Sequence, residues 1–210
     1  MSDPRKAIVR FGYDALGESY TEWSARVDGD PRGRYLEELS GRLPDGARVV
    51  DLGCGSGLPS TKLLTERFDV VGVDVSEAQL ALARRNVPGA TFVEGDLGRV
   101  SFPPTSFAAV TALYSISHLP REEHAALFGE VFSWLRPGGF FLATLGAGDG
   151  PDWTGDWLGV PMFFSSWDAE RNRELLLQAG FELEIDEVVE MREPEGVVPF
   201  LWVLARKPPI

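Results

Sequence analysis

Three aspartates each close a short apolar run: Val49-Val50-Asp51, Val71-Gly72-Val73-Asp74 and, after one glycine, Glu94-Gly95-Asp96-Leu97. The first is followed at once by Gly53-Cys54-Gly55-Ser56-Gly57. Residues without side chains tolerate positive φ and let the backbone approach a ligand closely. An acid about twenty residues beyond such a turn, here Asp74, is placed to accept both hydroxyls of a ribose. Asp96 is placed to read an adenine amino group. The chemistry predicted is capture of a nucleoside where three strand ends converge at the carboxyl edge of a parallel sheet. A nicotinamide-binding turn would follow G-x-G-x-x-G, but position 58 is Leu58, so the spacing disfavours that alternative. Cys54 reads as a small residue packed inside a crowded turn.

The elements that must position these groups are legible around them. Short apolar runs alternate with helical patterns from Arg48 onward, which predicts a parallel sheet covered by helices. Strands are expected near 48–52, 70–74, 90–94, 107–113 and 139–145, and helices near 59–67, 77–87 and 121–135. Ser76 with Gln79 forms a capping box, and Leu80, Ala83 and Val87 then recur on one helix face. Arg136-Pro137-Gly138-Gly139 reads as the turn that launches the fifth strand. A Gly/Pro/Asp-rich loop from Gly146 to Gly159, an aromatic segment from Met162 to Trp167 and a helix near 168–178 come next. Two β segments near 181–191 and 197–205, joined by a short charged turn, are close enough for antiparallel pairing. The expected fold is α/β: a doubly wound, Rossmann-like, seven-stranded sheet, mostly parallel with an antiparallel C-terminal hairpin strand. One domain is expected over 1–210. It divides into an N-terminal helical lid (1–45), a cofactor-binding core (46–146), an aromatic substrate cap (147–167) and a C-terminal helix with hairpin (168–210).

Composition narrows the partners. With 32 acidic against 20 basic residues the formal charge is -12, so the mean field repels phosphate backbones, and no concentrated basic patch offsets it. No nucleic acid is expected, and no membrane, since no run approaches the ~18 apolar residues of a span. A single cysteine excludes an internal disulfide and any multi-cysteine zinc site. The chain is read as cytoplasmic, without a metal, and its oligomeric state stays open.

On these motifs the chain resembles the class I S-adenosylmethionine-dependent methyltransferases that act on small molecules, motif by motif over about 48–145. The resemblance implies S-adenosylmethionine as cofactor and S-adenosylhomocysteine as product. It implies that Asp51 and the turn Gly53, Cys54, Gly55 and Gly57 surround the methionine portion, and that Asp74 with Val75 holds the ribose. Gly95, Asp96 and Leu97 would meet the adenine, while Leu113, Tyr114 and Ser115 line the crevice after the fourth strand. Tyr13 and Tyr20 resemble lid tyrosines that approach the methionine end.

Methyl transfer from a sulfonium is an in-line displacement, so the protein must mainly hold a nucleophile close to the methyl carbon and exclude water. A base helps where the acceptor carries a proton, and His118 in Tyr114-Ser115-Ile116-Ser117-His118-Leu119-Pro120 is the best placed candidate. The same histidine could instead shape the loop or touch the substrate. His124 reads as a surface residue. The acceptor pocket is expected from Trp23, Trp153, Trp157, Phe163, Phe164 and Trp167, because aromatic walls suit apolar or cationic molecules. Neither Asn-Pro-Pro-Tyr nor Asp-Pro-Pro-Tyr follows the fourth strand, and no paired glutamates mark an arginine-modifying site. A small-molecule acceptor is therefore expected. The alternatives are a peptide or protein acceptor, and a noncatalytic cofactor-binding module.

Overall fold

The computed structural model describes residues 3–194 and 196–209. Strands β1 (Arg48–Leu52), β2 (Asp69–Asp74), β3 (Thr91–Glu94), β4 (Phe107–Ala112) and β5 (Leu135–Gly146) pair in parallel. Two further strands, β8 (Glu182–Glu193) and β9 (Gly196–Arg206), form the terminal hairpin, and the seven-stranded order is β3-β2-β1-β4-β5-β9-β8. Only β9 runs against its neighbours, with Ala143 opposite Val203 across the β5–β9 seam. Strand order reverses between β1 and β4, which opens a crevice at their carboxyl ends.

Alternation along each strand feeds two apolar layers. Val50, Leu52, Phe141, Leu201 and Val203 join one layer with α6 (His124–Trp134) and α7 (Ala169–Gln178). Val49, Leu142, Trp202 and Leu204 join the other with α3 (Arg32–Ser40) and α4 (Ser60–Thr65), where Tyr35 stacks on Trp202 at 4.4 Å. α5 (Glu77–Asn86) buries Leu80 and Ala83, and Val87 follows at its C-cap.

Four expectations change. β5 begins at Leu135 rather than near 139, because its turn is tied to the chain beyond β9: Gly138 N–H donates to the Lys207 carbonyl at 2.9 Å and Lys207 N–H to Gly139 at 2.8 Å. The stretch expected as a loop from Gly146 to Gly159 holds a strand, β6 (Gly150–Trp157), paired antiparallel with β7 (Val160–Ser166) in a separate hairpin. His124 is buried, not on the surface, for it heads the stripe continued by Leu127, Phe128, Val131 and Trp134, and its Nε2–H donates to the Leu119 carbonyl. The acids beside it, Glu122 and Glu123, belong to a preceding 3-10 turn. Only half of the capping box forms: Gln79 N–H donates to Ser76 Oγ at 3.1 Å, while the Gln79 amide donates to the Gly17 carbonyl at 2.8 Å.

That glutamine belongs to the anchorage of the N-terminal helices, α1 (Pro4–Leu16) and α2 (Glu18–Ser24). α1 starts on Asp3, whose carboxylate accepts from Arg5 N–H, with Pro4 supplying a pre-set φ. Its buried residues Lys6, Val9, Gly12 and Leu16 recur on one face, which lies on β7. Gly12 permits this approach, since a Cβ there would stand 2.7 Å from Met162 Cε and 2.8 Å from the Pro161 carbonyl oxygen. At the other end Asp14 accepts from Ser76 Oγ at 2.6 Å, which binds α1 to the start of α5. Asp28 closes the wrap by a two-way backbone bridge to Arg192 in β8.

Candidate active site

β1 delivers the chain into the glycine turn at the mouth of the crevice. Gly53 has φ 71°, and a Cβ on it would lie 2.2 Å from that of Ser115, so glycine is required both for the turn and for the close pass of the loop after β4. Ser115 Oγ donates to the Leu52 carbonyl at 2.8 Å and locks the two loops together. Asp74, at the end of β2, accepts from Gly55 N–H at 2.8 Å and from Ser76 N–H at 2.9 Å. Burial pushes its carboxyl up to about 6, against the opposing pull of those backbone donors.

One cavity brings together many of the predicted cofactor residues: Tyr13, Tyr20, Gly53, Gly55, Asp74, Val75, Asp96, Leu97, Leu113, Tyr114 and Ser115. Others stand behind its wall. Asp51 is 2% exposed and accepts from Thr61 Oγ1 at 2.6 Å and Thr111 Oγ1 at 2.7 Å, so it fastens β1 to α4 and β4 beneath the turn. The buried Cys54 thiol is pushed up chiefly by desolvation. Gly57 packs against Val87, and Gly95 N–H donates to the Asp74 carbonyl.

Lys6 also lines this cavity, unforeseen from sequence. Its ammonium reaches both oxygens of Asp96 at 3.1 Å and Glu123 Oε2 at 2.5 Å, so α1 is bolted across the end of the crevice where β3 finishes. The spacing of Lys6, Val9, Gly12 and Leu16 was the available signal, because it places a lysine on the face that must be buried.

Tyr13, Tyr20, Tyr114 and His118 are shared with an adjoining cavity, walled by Trp23, Trp157 and Phe164. Tyr20 and Trp23 stack with ring centres 6.0 Å apart, and Trp157 meets Trp23 edge-on at 5.3 Å. At the boundary between the two spaces the Tyr13 hydroxyl lies 2.8 Å from His118 Nε2. The other ring nitrogen of His118 faces the Phe163 carbonyl at 2.9 Å. A carbonyl can only accept, so Nδ1 carries the proton and Nε2 accepts from Tyr13. Burial lowers the His118 pKa to about 4, despite the opposing Phe163 bond, and keeps the imidazole neutral.

The remaining aromatic residues separate. Phe163 is fully buried beside Val9 and Leu16 and serves the cavity through its carbonyl, not its ring. Trp167 does not reach either cavity: its Nε1 donates to the Arg121 carbonyl at 3.0 Å, the Arg121 guanidinium covers its ring at 4.2 Å, and it packs on the α6–α7 layer. Trp153, 47% exposed, stands on an outer cavity beyond Phe164. Arg32 joins the aromatic cavity, again unforeseen, with its guanidinium paired to Asp30 and 5.0 Å from the Tyr114 ring centre.

Known proteins similar to this chain in sequence or fold include methyltransferases. A family model described as a methyltransferase domain matches residues 49–139. Trans-aconitate 2-methyltransferase of Variovorax paradoxus is 42% identical over 115 residues, covering 52% of this chain and 43% of that protein. A sterol 24-C-methyltransferase of Aspergillus fumigatus is 32% identical over 134 residues, covering 60% and 33%. The chain thus spans less than half the length of these curated relatives. Among solved structures, the 1,6-didemethyltoxoflavin-N1-methyltransferase of Burkholderia thailandensis, bound to 1,6-didemethyltoxoflavin and S-adenosylhomocysteine, superposes with a TM-score of 0.73 at 21% identity, over 99% of this chain and 92% of that one. The chain is thus similar in sequence to methyltransferase domains over residues 49–139 and shares its fold with a methyltransferase that binds S-adenosylhomocysteine.

Proposed function

We propose that this protein transfers a methyl group from S-adenosylmethionine to a small-molecule acceptor held in the aromatic cavity. The observation that carries the reading is the Tyr13–His118 pair, which stands where the crevice beside Gly53 and Asp74 meets the cage of Trp23, Trp157 and Phe164. The residues fit the cofactor. Gly53 leaves backbone where a Cβ would collide with Ser115, and the Asp74 carboxylate lies on the cavity wall with each oxygen already oriented by a backbone N–H. When bound there, S-adenosylmethionine supplies an electrophilic methyl on a sulfonium centre.

In this reading Asp74 accepts from the ribose hydroxyls, and Leu97 and Leu113 give the nucleoside apolar contact. Asp96, steadied by Lys6, faces the adenine. Tyr13 and Tyr20 present aromatic surface toward positive charge, and α1 with α2 acts as a lid that keeps water out. An acceptor O–H or N–H donates to the Tyr13 oxygen, the Tyr13 proton moves to His118 Nε2, and Phe163 holds the imidazole in the tautomer that can receive it. Burial keeps His118 uncharged at neutral pH but also makes it a weak base and raises the Tyr13 hydroxyl. The proton therefore moves to Nε2 only as the acceptor's bond to the methyl forms and its own proton becomes acidic. Trp23, Trp157 and Phe164 orient the acceptor, with Arg32 at its edge.

Among the described residues no helix is long and apolar enough to cross a membrane. That observation and the buried free Cys54 support a cytoplasmic setting. The test is calorimetric binding of S-adenosylhomocysteine together with its release from S-adenosylmethionine across a panel of hydroxyl, amine and thiol acceptors. Binding with turnover of at least one acceptor is expected. Binding with no turnover of any acceptor identifies a noncatalytic module, and no binding overturns the reading altogether.

A further inference from the structure

The aromatic cavity does not stop at Trp157 and Phe164. Both residues, with Ser117, Glu193 and Phe200, also border an outer cavity of about 490 Å³. It lies between the β6–β7 hairpin and the β8–β9 hairpin, with the Gly146–Asp149 turn as a third side. Its other walls are mainly apolar, with Trp153, Pro151, Val198 and Pro199, and carry the hydroxyls of Ser165 and Ser166. No lysine or arginine lines it among the described residues; the charged side chains there are Asp149 and Glu193, and Asp149 is engaged by Arg121 at 2.6 Å. The crevice of Asp74 and Asp96 shares no lining residue with this outer cavity.

We infer that the outer cavity is the acceptor's own port, separate from the cofactor's, and that it holds the non-reacting body of an elongated apolar acceptor that carries no negative charge along that part. This rests on the methyltransferase reading and adds a route and a substrate class to it. The reacting end passes along Ser117 and Phe200, which both cavities share, beside the Trp157 and Phe164 rings that meet edge-on at 5.5 Å, and the remainder lies along Trp153. Burial of apolar surface favours such a body by about 25 cal/mol per Å². An anionic body would leave water for a wall that offers acids and no cation. A basic group is tolerated, because aromatic faces attract it. Since the two routes are independent, acceptor and cofactor bind in either order.

Two dyes with similar aromatic bodies test this. N-phenyl-1-naphthylamine is uncharged, 8-anilinonaphthalene-1-sulfonate is anionic, and both brighten in apolar surroundings. The uncharged dye is expected to bind protein saturated with S-adenosylhomocysteine, and the sulfonate at least tenfold more weakly. Gly148→Trp fills the port from a position where a Cβ meets nothing within 4 Å; it should weaken the uncharged dye tenfold or more and leave S-adenosylhomocysteine affinity unchanged. Pro199→Arg adds a cation to the wall and should tighten the sulfonate. Displacement of the dye by S-adenosylhomocysteine, indifference to Gly148→Trp, or sulfonate binding as tight as that of the neutral dye each overturns the port. Failure of S-adenosylhomocysteine to bind sinks the methyltransferase reading instead, and the dye titrations are then read on the protein alone.

Discussion

The Tyr13 hydroxyl and His118 Nε2 lie 2.8 Å apart, although 105 residues separate them along the chain. One comes from a helix laid over the sheet and the other from the loop that follows β4, so the contact exists only when α1 is seated. Tyr13→Phe and His118→Gln should each lower kcat by roughly 10²-fold, the low end for loss of a positioned proton acceptor. S-adenosylhomocysteine affinity should change little. Because the two act as one unit, the double variant should be no slower than the slower single one. Steady-state kinetics beside calorimetry checks this, and an unchanged kcat in either variant removes the pair from catalysis.

Protonation should be felt at the cofactor and not at His118. Held near 4, the imidazole stays neutral across the physiological range, so kcat should show no limb near the usual histidine pKa. Asp74 titrates near 6, and only its ionised form offers two acceptor oxygens. S-adenosylhomocysteine binding should therefore weaken as pH falls through about 6, and Asp74→Asn should bind weakly with that pH dependence gone. The empty protein responds with the opposite sign. A carboxyl raised above its unfolded 3.8 binds more protons folded than unfolded, so the stability it contributes is complete below 3.8 and is lost as pH rises through about 6. Thermal melts with and without S-adenosylhomocysteine between pH 4 and pH 8, conditions of the test, separate the two effects.

Gly53→Ala should destabilise the fold by about 1–3 kcal/mol through its left-handed backbone and the collision with Ser115. Removing the colliding group in Gly53→Ala/Ser115→Gly should recover part of that loss but not all, because φ stays at 71°. Urea midpoints provide the measurement; full recovery would show that backbone strain at this turn is negligible.

Lys6→Met should loosen α1, since it leaves the Asp96 and Glu123 carboxylates facing each other without the ammonium between them. Faster amide exchange in α1 and dissociation of S-adenosylhomocysteine about tenfold faster, equivalent to ~1.4 kcal/mol, are expected. Unaltered exchange would mean that the Gly12 contact and the Asp14 bonds seat the helix by themselves.

The sheet and the glycine turn were readable in the chain because they are governed by local rules: period-two apolar runs, glycines where φ is positive, and acids at strand ends. The β6–β7 hairpin was hidden for a physical reason. Its Gly, Pro and Asp residues have the composition of a loop, and Phe163 and Phe164 put aromatic rings on both faces, which erases the alternation. His124 misled because its acidic neighbours belong to a different turn. Lys6 and Arg32 illustrate a deeper limit: a charged residue at a buried position acquires meaning only from partners such as Asp96, 90 residues away. Trp153, Trp157 and Trp167 look alike in sequence, yet Trp157 walls the cage, Trp153 stands on the outer cavity, and Trp167 supports the α6–α7 layer. Residue type alone carries no such distinction.

The seating of α1 on β7 also sets the order in which the protein can be completed during synthesis. Gly12 packs on Met162 of β7, 150 positions further on, so the buried face of α1 leaves the ribosome long before its docking surface exists. Until β7 has emerged, Val9 and Leu16 have no apolar partner there and stay open to other chains or to chaperones. Pairs within the seven-stranded sheet close loops of at most 66 residues, from Phe140 to Arg206, whereas the enclosed site needs the far longer closure that brings Gly12 of α1 to Met162 of β7. A nascent chain would thus possess its glycine turn well before it could shut water out, which makes closure of the site a late event in the maturation of this protein.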